Sequence, residues 1–354
     1  MNRKPEIRKF LIAAELGAAL VCCAVFLAAA RANQVMAEWR ETDSAGDERI
    51  AEEQGGEKPL TPLQLEAKAI LDIQREAMNR AKELATMPLE PIPAEAVKLA
   101  EDAMKQFDST GVIVLPGGTE LRMVKVEAGT FTMGETDEGI DKELFDNEMP
   151  HEVTLKHVFW LGRTEVTQAQ WKAVMSNRTP SGFTGDDLPV EVVSWDDIQI
   201  FCARLNGMYA GKLPAGYRFD LPTEAQWEYA ARGGKKGKGF KYSGSDDLDA
   251  VAWHDGNSGQ TTHPVGTKQP NELGLYDMTG NVTEWCRDWY EKDYAGDPEF
   301  LRGNQGDRRV CHGGGWGYTD ELIARIAFRD PSGSDSRDIF TGFRLALVPT
   351  EPAE

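Results

Sequence analysis

The sequence predicts an α+β fold for most of the chain, with short strands and short helices joined by many loops. From Gly111 onward the chain holds 31 of its 35 glycines and eight of its nine tryptophans. This composition is typical of a compact, loop-rich domain held together by aromatic anchors. Capping patterns mark three short helices, and the strand candidates do not alternate regularly with helices. A doubly wound parallel sheet is therefore not expected.

Residues 1–32 have the pattern of an export signal, because basic residues in the first ten positions precede an apolar stretch at residues 11–30. Residues 30–32 form a small-x-small cleavage candidate. The apolar stretch is as long as a bilayer core requires, about 20 residues, although Glu15 within it is costly at mid-membrane. The pattern predicts an extracytoplasmic (periplasmic or cell-surface) protein. A cleaved signal peptide and a retained membrane anchor through residues 11–30 both stay open.

Residues 33–58 are polar and acidic without hydrophobic periodicity, which predicts a flexible tether. In residues 59–110, Pro62 suits a first helical turn and apolar residues recur at three- and four-residue intervals, so we expect a helix that ends at residues 87–93, where three prolines lie. A second short helix is expected over residues 94–107. We interpret this segment as a helical stalk, with a coiled coil for assembly as the alternative.

Residues 111–350 are treated as one domain in which three helices begin at capping boxes. In a capping box a Ser or Thr side chain caps an early backbone N–H and a polar residue three places later reaches back. The pairs are Thr167 with Gln170, Ser194 with Asp197, and Thr223 with Gln226. Strands are predicted at residues 123–126, 151–155, 190–193 and 342–347.

Charge excludes one class of partner. The 354 residues include 58 Asp and Glu against 39 Lys and Arg, which gives a formal net charge of -19. Nucleic-acid affinity comes mainly from Lys and Arg that displace counterions from phosphates. A DNA or RNA partner is therefore not expected, and the partner is an unidentified protein or small molecule.

The cysteines do not organise the fold. Of five, two lie in the apolar segment, which leaves Cys202, Cys286 and Cys311. Three thiols allow at most one intramolecular disulfide, and no cysteine or histidine cluster has zinc-ligand spacing. A disulfide scaffold and a structural zinc site are excluded, while the pairing of two of these cysteines stays open.

A series of motifs runs in order from about residue 117 to residue 349. It includes LPTEAQWEYAARGG at 221–234, NELGLYDMTGNVTEW at 271–285, GGGW at 313–316 and GFR at 342–344. Together these motifs resemble formylglycine-generating (sulfatase-modifying factor) domains. The resemblance implies the formylglycine-generating-enzyme-like fold of the C-type-lectin-like superfamily, preceded here by the helical segment.

The resemblance also implies a calcium site at residues 277–284. Its ligands are the carboxylates of Asp277 and Glu284 and the backbone carbonyls of Gly280 and Val282. From the residues alone this segment is a tight turn at Gly280 without EF-hand spacing. Asp277 replaces the family's usual Asn, which keeps an oxygen ligand and adds charge, so Ca²⁺ is expected here.

Copper and iron are not expected. Copper-dependent members resemble one another in a cysteine pair, five residues apart, just after the glycine-rich motif, and these positions hold Tyr318 and Ile323. Cu(I) requires soft thiolate ligands. Cys311 does not replace the missing pair, because it precedes the glycine-rich motif and the ligand positions follow it. The related iron-dependent branch uses histidines partly from a helical domain, whereas all five histidines lie within residues 151–312. Formylglycine-generating oxidation is therefore not expected of this chain.

Several residues near the expected cleft are candidate functional groups. The catalytic candidates are His312, Tyr318 and Asp288, and the candidate ligand-pocket residues are Trp316, Arg325, Arg329 and Arg344. Buried arginines need partners, so ion pairs with Glu284, Asp288 or Asp330 are the alternative to ligand contacts. No nucleophilic triad, P-loop or dinucleotide fingerprint is present.

These observations predict an exported protein whose domain has lost copper chemistry and acts as a ligand- or protein-binding module. One alternative is an active extracytoplasmic oxidase or modifying enzyme similar to the pyoverdine-maturation branch of the family. Another is a scaffold that assembles through the helical segment.

Overall fold

The computed structural model describes residues 62–86, 111–137, 140, 147–175, 177–291, 306 and 308–350. The export signal, the acidic tether and the second helix expected at residues 94–107 lie outside these ranges. The helices are α1 (Pro62–Thr86), α2 (Gln168–Val174), α3 (Trp195–Met208), α4 (Glu224–Ala231) and α5 (Leu248–Val251). Among these described helices, none combines the length and apolar character needed to cross a membrane.

The strands form three sheets. They are β1 (Val112–Val114), β2 (Glu120–Val126), β3 (Gly129–Met133), β4 (His151–Leu155), β5 (Phe159–Gly162), β6 (Tyr217–Asp220), β7 (Thr283–Trp289), β8 (Arg308–His312), β9 (Asp330–Gly333), β10 (Thr341–Gly342) and β11 (Ala346–Pro349). An antiparallel sheet has the order β1-β2-β5-β11-β6, a second has the order β10-β7-β8-β9, and β3 pairs with β4. In the second sheet only the β10–β7 pair is parallel.

The α+β prediction is confirmed, and so are the three capping boxes. At the start of α2, α3 and α4 the Ser or Thr side chain accepts the N–H of the residue three places on, and the polar side chain there accepts the N–H of the cap. Helices α2 and α3 pack apolar residues into a core of aromatic and branched side chains, and every residue of α4 is buried. Local capping and tertiary packing therefore favour the same helix starts.

Two strand predictions are wrong in detail. Residues 190–193 are not a strand, because Val192 has a φ of 61° and the neighbouring Glu191 turns its buried carboxylate onto backbone N–H groups. The strand expected at 342–347 is divided into β10 and β11. These belong to different sheets, so the chain passes from one sheet to the other between Gly342 and Ala346.

Helix α1 lies where the sequence predicts it and packs against the domain. Ala77 and Ala81 are buried in a cluster with Trp316, Tyr318 and Phe340. The approach is close at Gly182, where an added Cβ would lie 3.1 Å from a methyl of Ile73 in α1 and 2.8 Å from a methyl of Ile339. A side chain at this position would therefore push against the helix and the domain together.

The loop under α1 is held by a buried carboxylate. Glu191 accepts the N–H groups of Gly182 and Phe183, each at 3.0 Å. Burial raises the pKa of Glu191 to about 8, although these N–H groups and Arg80 of α1 lower it. Because the folded-state pKa lies above the unfolded value, the contribution of this carboxyl group to stability is complete at low pH. It is lost as the pH rises through the folded-state pKa.

Replacing Glu191 with glutamine should therefore flatten the pH dependence of unfolding between about pH 7 and 9. Across this window the wild type should lose about 1.4 kcal/mol of stability, because the window includes one pH unit below the folded-state pKa of about 8 and one pKa unit corresponds to about 1.4 kcal/mol. Urea titrations at several pH values measure this. An unchanged slope above pH 7 in Glu191→Gln would contradict the assignment, whereas the slope below pH 7 also reports other buried carboxyl groups.

Candidate functional site

A cavity of about 170 Å³ opens beside the glycine-rich turn that follows β8. Gly313 and Gly314 have φ values of 94° and 66°, which other residues rarely adopt, so the strand can turn sharply here. The cavity is lined by Leu248, Ala252, His254, Asp255, Gly256, Gly280, Gly313, Gly315, Tyr318, Thr319, Asp320, Glu321 and Ala324. Of the candidate site residues that the sequence predicts, only Gly280 and Tyr318 lie on this lining.

Tyr318 forms part of the cavity wall but its hydroxyl group points into a polar network. The hydroxyl donates to Asp330 Oδ2 at 3.0 Å and lies 3.3 Å from the Thr283 hydroxyl. Burial raises the pKa of Asp330 to about 7, and its Oδ1 has no hydrogen-bond partner among the described residues. Ile323, the second position of the expected cysteine pair, belongs to the apolar cluster under α1.

His312 lies behind the cavity in the core. Its ring stacks on Trp227 with centroids 4.7 Å apart, and its Nε2 lies 3.2 Å from Glu224 Oε1. The side chain is fully buried, and Nδ1 has no hydrogen-bond partner within the described part of the chain. His312 therefore has no access to the cavity, and its position is that of a core residue.

Arg329 and Asp288 meet at the same glutamate. Arg329 binds Glu224 through Nε and Nη2, the latter at 2.9 Å, and Asp288 accepts the Glu224 backbone N–H at 2.7 Å. Burial opposes the charge of Glu224, but Arg329 and His312 outweigh it and lower the pKa of Glu224 to about 2. Burial and the charge of Glu224 raise the pKa of Asp288 to about 7.

Arg325 is also committed to an ion pair. Its Nη1 donates to Glu148 at 2.8 Å and to Glu135. Burial raises the pKa of Glu148 to about 7 in spite of Arg325. Trp316, the aromatic member of the expected pocket, is fully buried, stacks on Phe340 and donates its indole N–H to the backbone. The four candidate pocket residues are thus buried side chains with protein partners.

Arg344 forms a bidentate ion pair with both carboxylate oxygens of Glu284. The Nη2–Oε1 and Nε–Oε2 distances are both 2.6 Å, and the Trp227 indole also donates to Oε2 at 2.7 Å. Arg344 further donates to the carbonyls of Gly162 and Tyr276. Of the partners proposed from the sequence, Glu284 is therefore the one used.

The expected calcium segment is acidic, and Asp277 Oδ2 and both carboxylate oxygens of Glu284 accept hydrogen bonds from the protein. Asp277 Oδ2 accepts the Gly266 N–H at 2.6 Å, and burial, with a contribution from Glu284, raises the pKa of Asp277 to about 6. Glu165 interacts with both carboxylates, and burial raises its pKa well above the usual value. Within the described residues no group of three or more His, Cys, Asp or Glu side chains is arranged to hold a metal ion.

At Glu284 the Arg344 guanidinium supplies the positive charge, so a calcium ion would have to compete with this arginine for the carboxylate. The calcium site at Asp277, Gly280, Val282 and Glu284 stays a prediction. The three domain cysteines are buried thiols at Cys202, Cys286 and Cys311, and none of them is on the cavity lining.

Comparison with known proteins identifies the family. The sequence profile of the sulfatase-modifying factor enzyme 1-like domain matches residues 115–348. The chain belongs to this family. It is 37% identical to the chaperone protein LppX of Paenibacillus barcinonensis over 204 residues, which cover 45% of this chain and 69% of that protein. It is 33% identical to the formylglycine-generating enzyme of Streptomyces coelicolor over 195 residues, which cover 48% of this chain and 57% of the enzyme.

Solved structures support the same assignment. Treponema denticola variable protein 1 superposes with a TM-score of 0.59 and 31% identity, covering 68% of this chain and 99% of that one. PvdO from Pseudomonas aeruginosa gives a TM-score of 0.55 and 26% identity, with 68% and 99% coverage. The family resemblance of the motifs and the fold it implies are therefore confirmed.

The cavity residues His254, Asp255, Asp320 and Glu321 were not predicted from the sequence. They come from two loops more than sixty positions apart, and neither loop carries a recognisable ligand spacing. The nearest sequence signal is the glycine-rich turn at residues 313–315, which contributes Gly313 and Gly315 to the same lining.

Proposed function

We propose that this chain is an exported member of the sulfatase-modifying factor family that binds a ligand or protein in the cavity beside Tyr318 and does not carry out copper-dependent oxidation. The supporting observation is the role of Tyr318. Tyr318 lies at the position where the family resemblance places the first copper cysteine, it lines the cavity, and its hydroxyl donates to Asp330. The site thus keeps a recess but presents no thiolate there.

Export is supported by the basic and apolar pattern of residues 1–32. Protease added to intact cells should cleave the domain, or should do so once an outer membrane has been permeabilised. A domain that stays protected until the inner membrane is broken would contradict this part of the proposal.

A second candidate is an extracytoplasmic modifying enzyme of different chemistry. It is favoured by the similarity to PvdO, which extends over 99% of that chain. The binding proposal is preferred because the catalytic candidates His312 and Asp288 are engaged in the core rather than at the cavity.

Oxygen consumption separates binding from copper oxidation. Purified chain with copper, reductant and a cysteine-containing sulfatase peptide should consume no more O₂ than a boiled sample. The Streptomyces coelicolor formylglycine-generating enzyme, assayed in parallel, checks that the conditions support turnover. Conversion of the peptide cysteine to formylglycine, detected by mass, would overturn the proposal, and a Cys311→Ser variant would then show whether that thiol takes part.

A further inference from the structure

The cavity beside Tyr318 has three kinds of wall. Leu248, Ala252 and Ala324 supply aliphatic surface, and glycines at positions 256, 280, 313 and 315 supply bare backbone. The third part of the lining is acidic, with Asp255 on one loop and Asp320 and Glu321 on another. Asp255 Oδ1 also accepts a hydrogen bond from the Gln260 side chain, and Asp320 Oδ1 accepts the Leu322 N–H at 2.9 Å. A lining that combines aliphatic and acidic residues suits a ligand that is apolar at one end and polar at the other.

No lysine or arginine is among the lining residues. The lining histidine is paired with a carboxylate of its own, because His254 Nε2 is 2.8 Å from Asp249 Oδ1, and its Nδ1 lies 3.2 Å from the Gly256 backbone nitrogen. The lining is therefore negative.

The rim of the cavity already attracts an ammonium group from the chain itself. Lys241 Nζ lies 3.7 Å from Glu321 Oε2 and 4.8 Å from the centre of the Tyr242 ring. Glu321 is mostly exposed, so this pair is weak and can exchange with a competing cation.

A metal ion is a poorer match than an organic cation. Hard metal ions take six or more oxygens at short range, whereas the described part of the chain has no His, Cys, Asp or Glu group arranged to hold one. The carboxylates here are separated around a recess with aliphatic walls. The volume of about 170 Å³ is below the range of drug-sized sites, roughly 300–1,000 Å³, and suits one short chain.

From these features we infer that the cavity binds an organic cation, an ammonium or guanidinium group on a short aliphatic stem such as a lysine or arginine side chain carries. The stem lies against Leu248, Ala252 and Ala324, and the cation is surrounded by Asp255, Asp320 and Glu321. This inference rests on the proposed binding function and adds the chemical class of the ligand.

Calorimetric titration of the full chain with matched probes tests it. Pentylamine and pentylguanidine carry the cation, 1-pentanol carries the same stem without charge, and calcium chloride supplies a metal cation. We expect the two cations to bind at least tenfold more tightly than pentanol. Added salt should weaken the binding of the two cations and leave the binding of pentanol unchanged. Nα-acetyl-lysine methylamide reports whether a lysine side chain is accepted as well as a free amine.

Substitutions that remove negative charges from the cavity provide a second test in the same binding assay. Glu321→Gln and Asp320→Asn should each weaken pentylamine binding at least threefold, with pentanol binding unchanged. Glu152→Gln removes one negative charge from the exposed face of β4 and should leave pentylamine binding unchanged.

The outcomes separate the inference from the function on which it rests. Equal binding of pentanol and pentylamine would overturn the cation assignment and leave a binding cavity in place. Binding of calcium with displacement of pentylamine would overturn it in favour of a metal. Failure of every probe would overturn the inference and also remove the cavity as support for the proposed binding function.

Discussion

Replacing Arg344 with methionine should lower the free energy of unfolding by about 3–5 kcal/mol, the usual cost of removing one partner of a buried ion pair. Glu284 is buried. Without Arg344 its carboxylate would keep the hydrogen bond from the Trp227 indole N–H but lose the bidentate ion pair with the guanidinium. The carbonyls of Gly162 and Tyr276 would lose a donor as well. Urea unfolding followed by circular dichroism measures the loss.

The effect follows from where Arg344 lies in the fold. It stands between β10 and β11, where the chain passes from one sheet to the other, and it contacts β5 of the first sheet and β7 of the second. One guanidinium thus connects both sheets and the turn at Tyr276. Loss of this connection should reduce the cooperativity of unfolding as well as its midpoint.

Arg122→Met is the matched control, since Arg122 pairs with Glu120 on the protein surface, where both side chains are about half exposed. Exposed pairs contribute at most about 1 kcal/mol. In the double variant Arg344→Met with Glu284→Gln, part of the stability should return, because the unpaired charge is gone. If Arg344→Met cost no more than Arg122→Met, the pair would not hold the two sheets together.

The sequence predicts local features of this fold well. Capping boxes at Thr167, Ser194 and Thr223 depend on contacts within four residues, so they can be recognised from the sequence and all three form. The strand expected at residues 190–193 does not form. Its apolar residues are buried in the core, but Val192 has a left-handed backbone conformation and the segment does not pair with a neighbouring strand. Apolar composition alone does not distinguish these two forms of burial.

The arginine partners show why a site is harder to predict than a fold. Glu284 was a proposed partner, but Arg329 pairs with Glu224 and Arg325 with Glu148, which lie more than a hundred positions away in the sequence. Such pairs are set by the packing of loops against the sheets. The acidic part of the cavity lining has the same origin, because Asp255 and Asp320 come to line one cavity only in the folded domain.

Helix α1 should leave the domain when Ala77 is replaced with arginine. Ala77 is fully buried, and the new side chain would place a charge and several extra methylenes against Trp316 and Phe340. Overpacking costs about 1–3 kcal/mol, and burial of an unpaired charge adds to this. We expect hydrogen exchange of the amides in residues 62–86 to accelerate at least tenfold, and the melting temperature to fall.

Release of α1 should also destabilise the lining of the cavity. Tyr318 belongs both to the cluster under the helix and to the cavity lining, and Ile323 packs on the same cluster. Hydrogen exchange in residues 317–324 should therefore accelerate together with that of α1 in Ala77→Arg. Asn79→Arg makes the same charge change at an exposed position two residues further on and should alter neither segment. If both variants exchanged alike, Ala77 would not dock the helix; if only α1 responded, the helix would cover the domain without supporting the cavity wall.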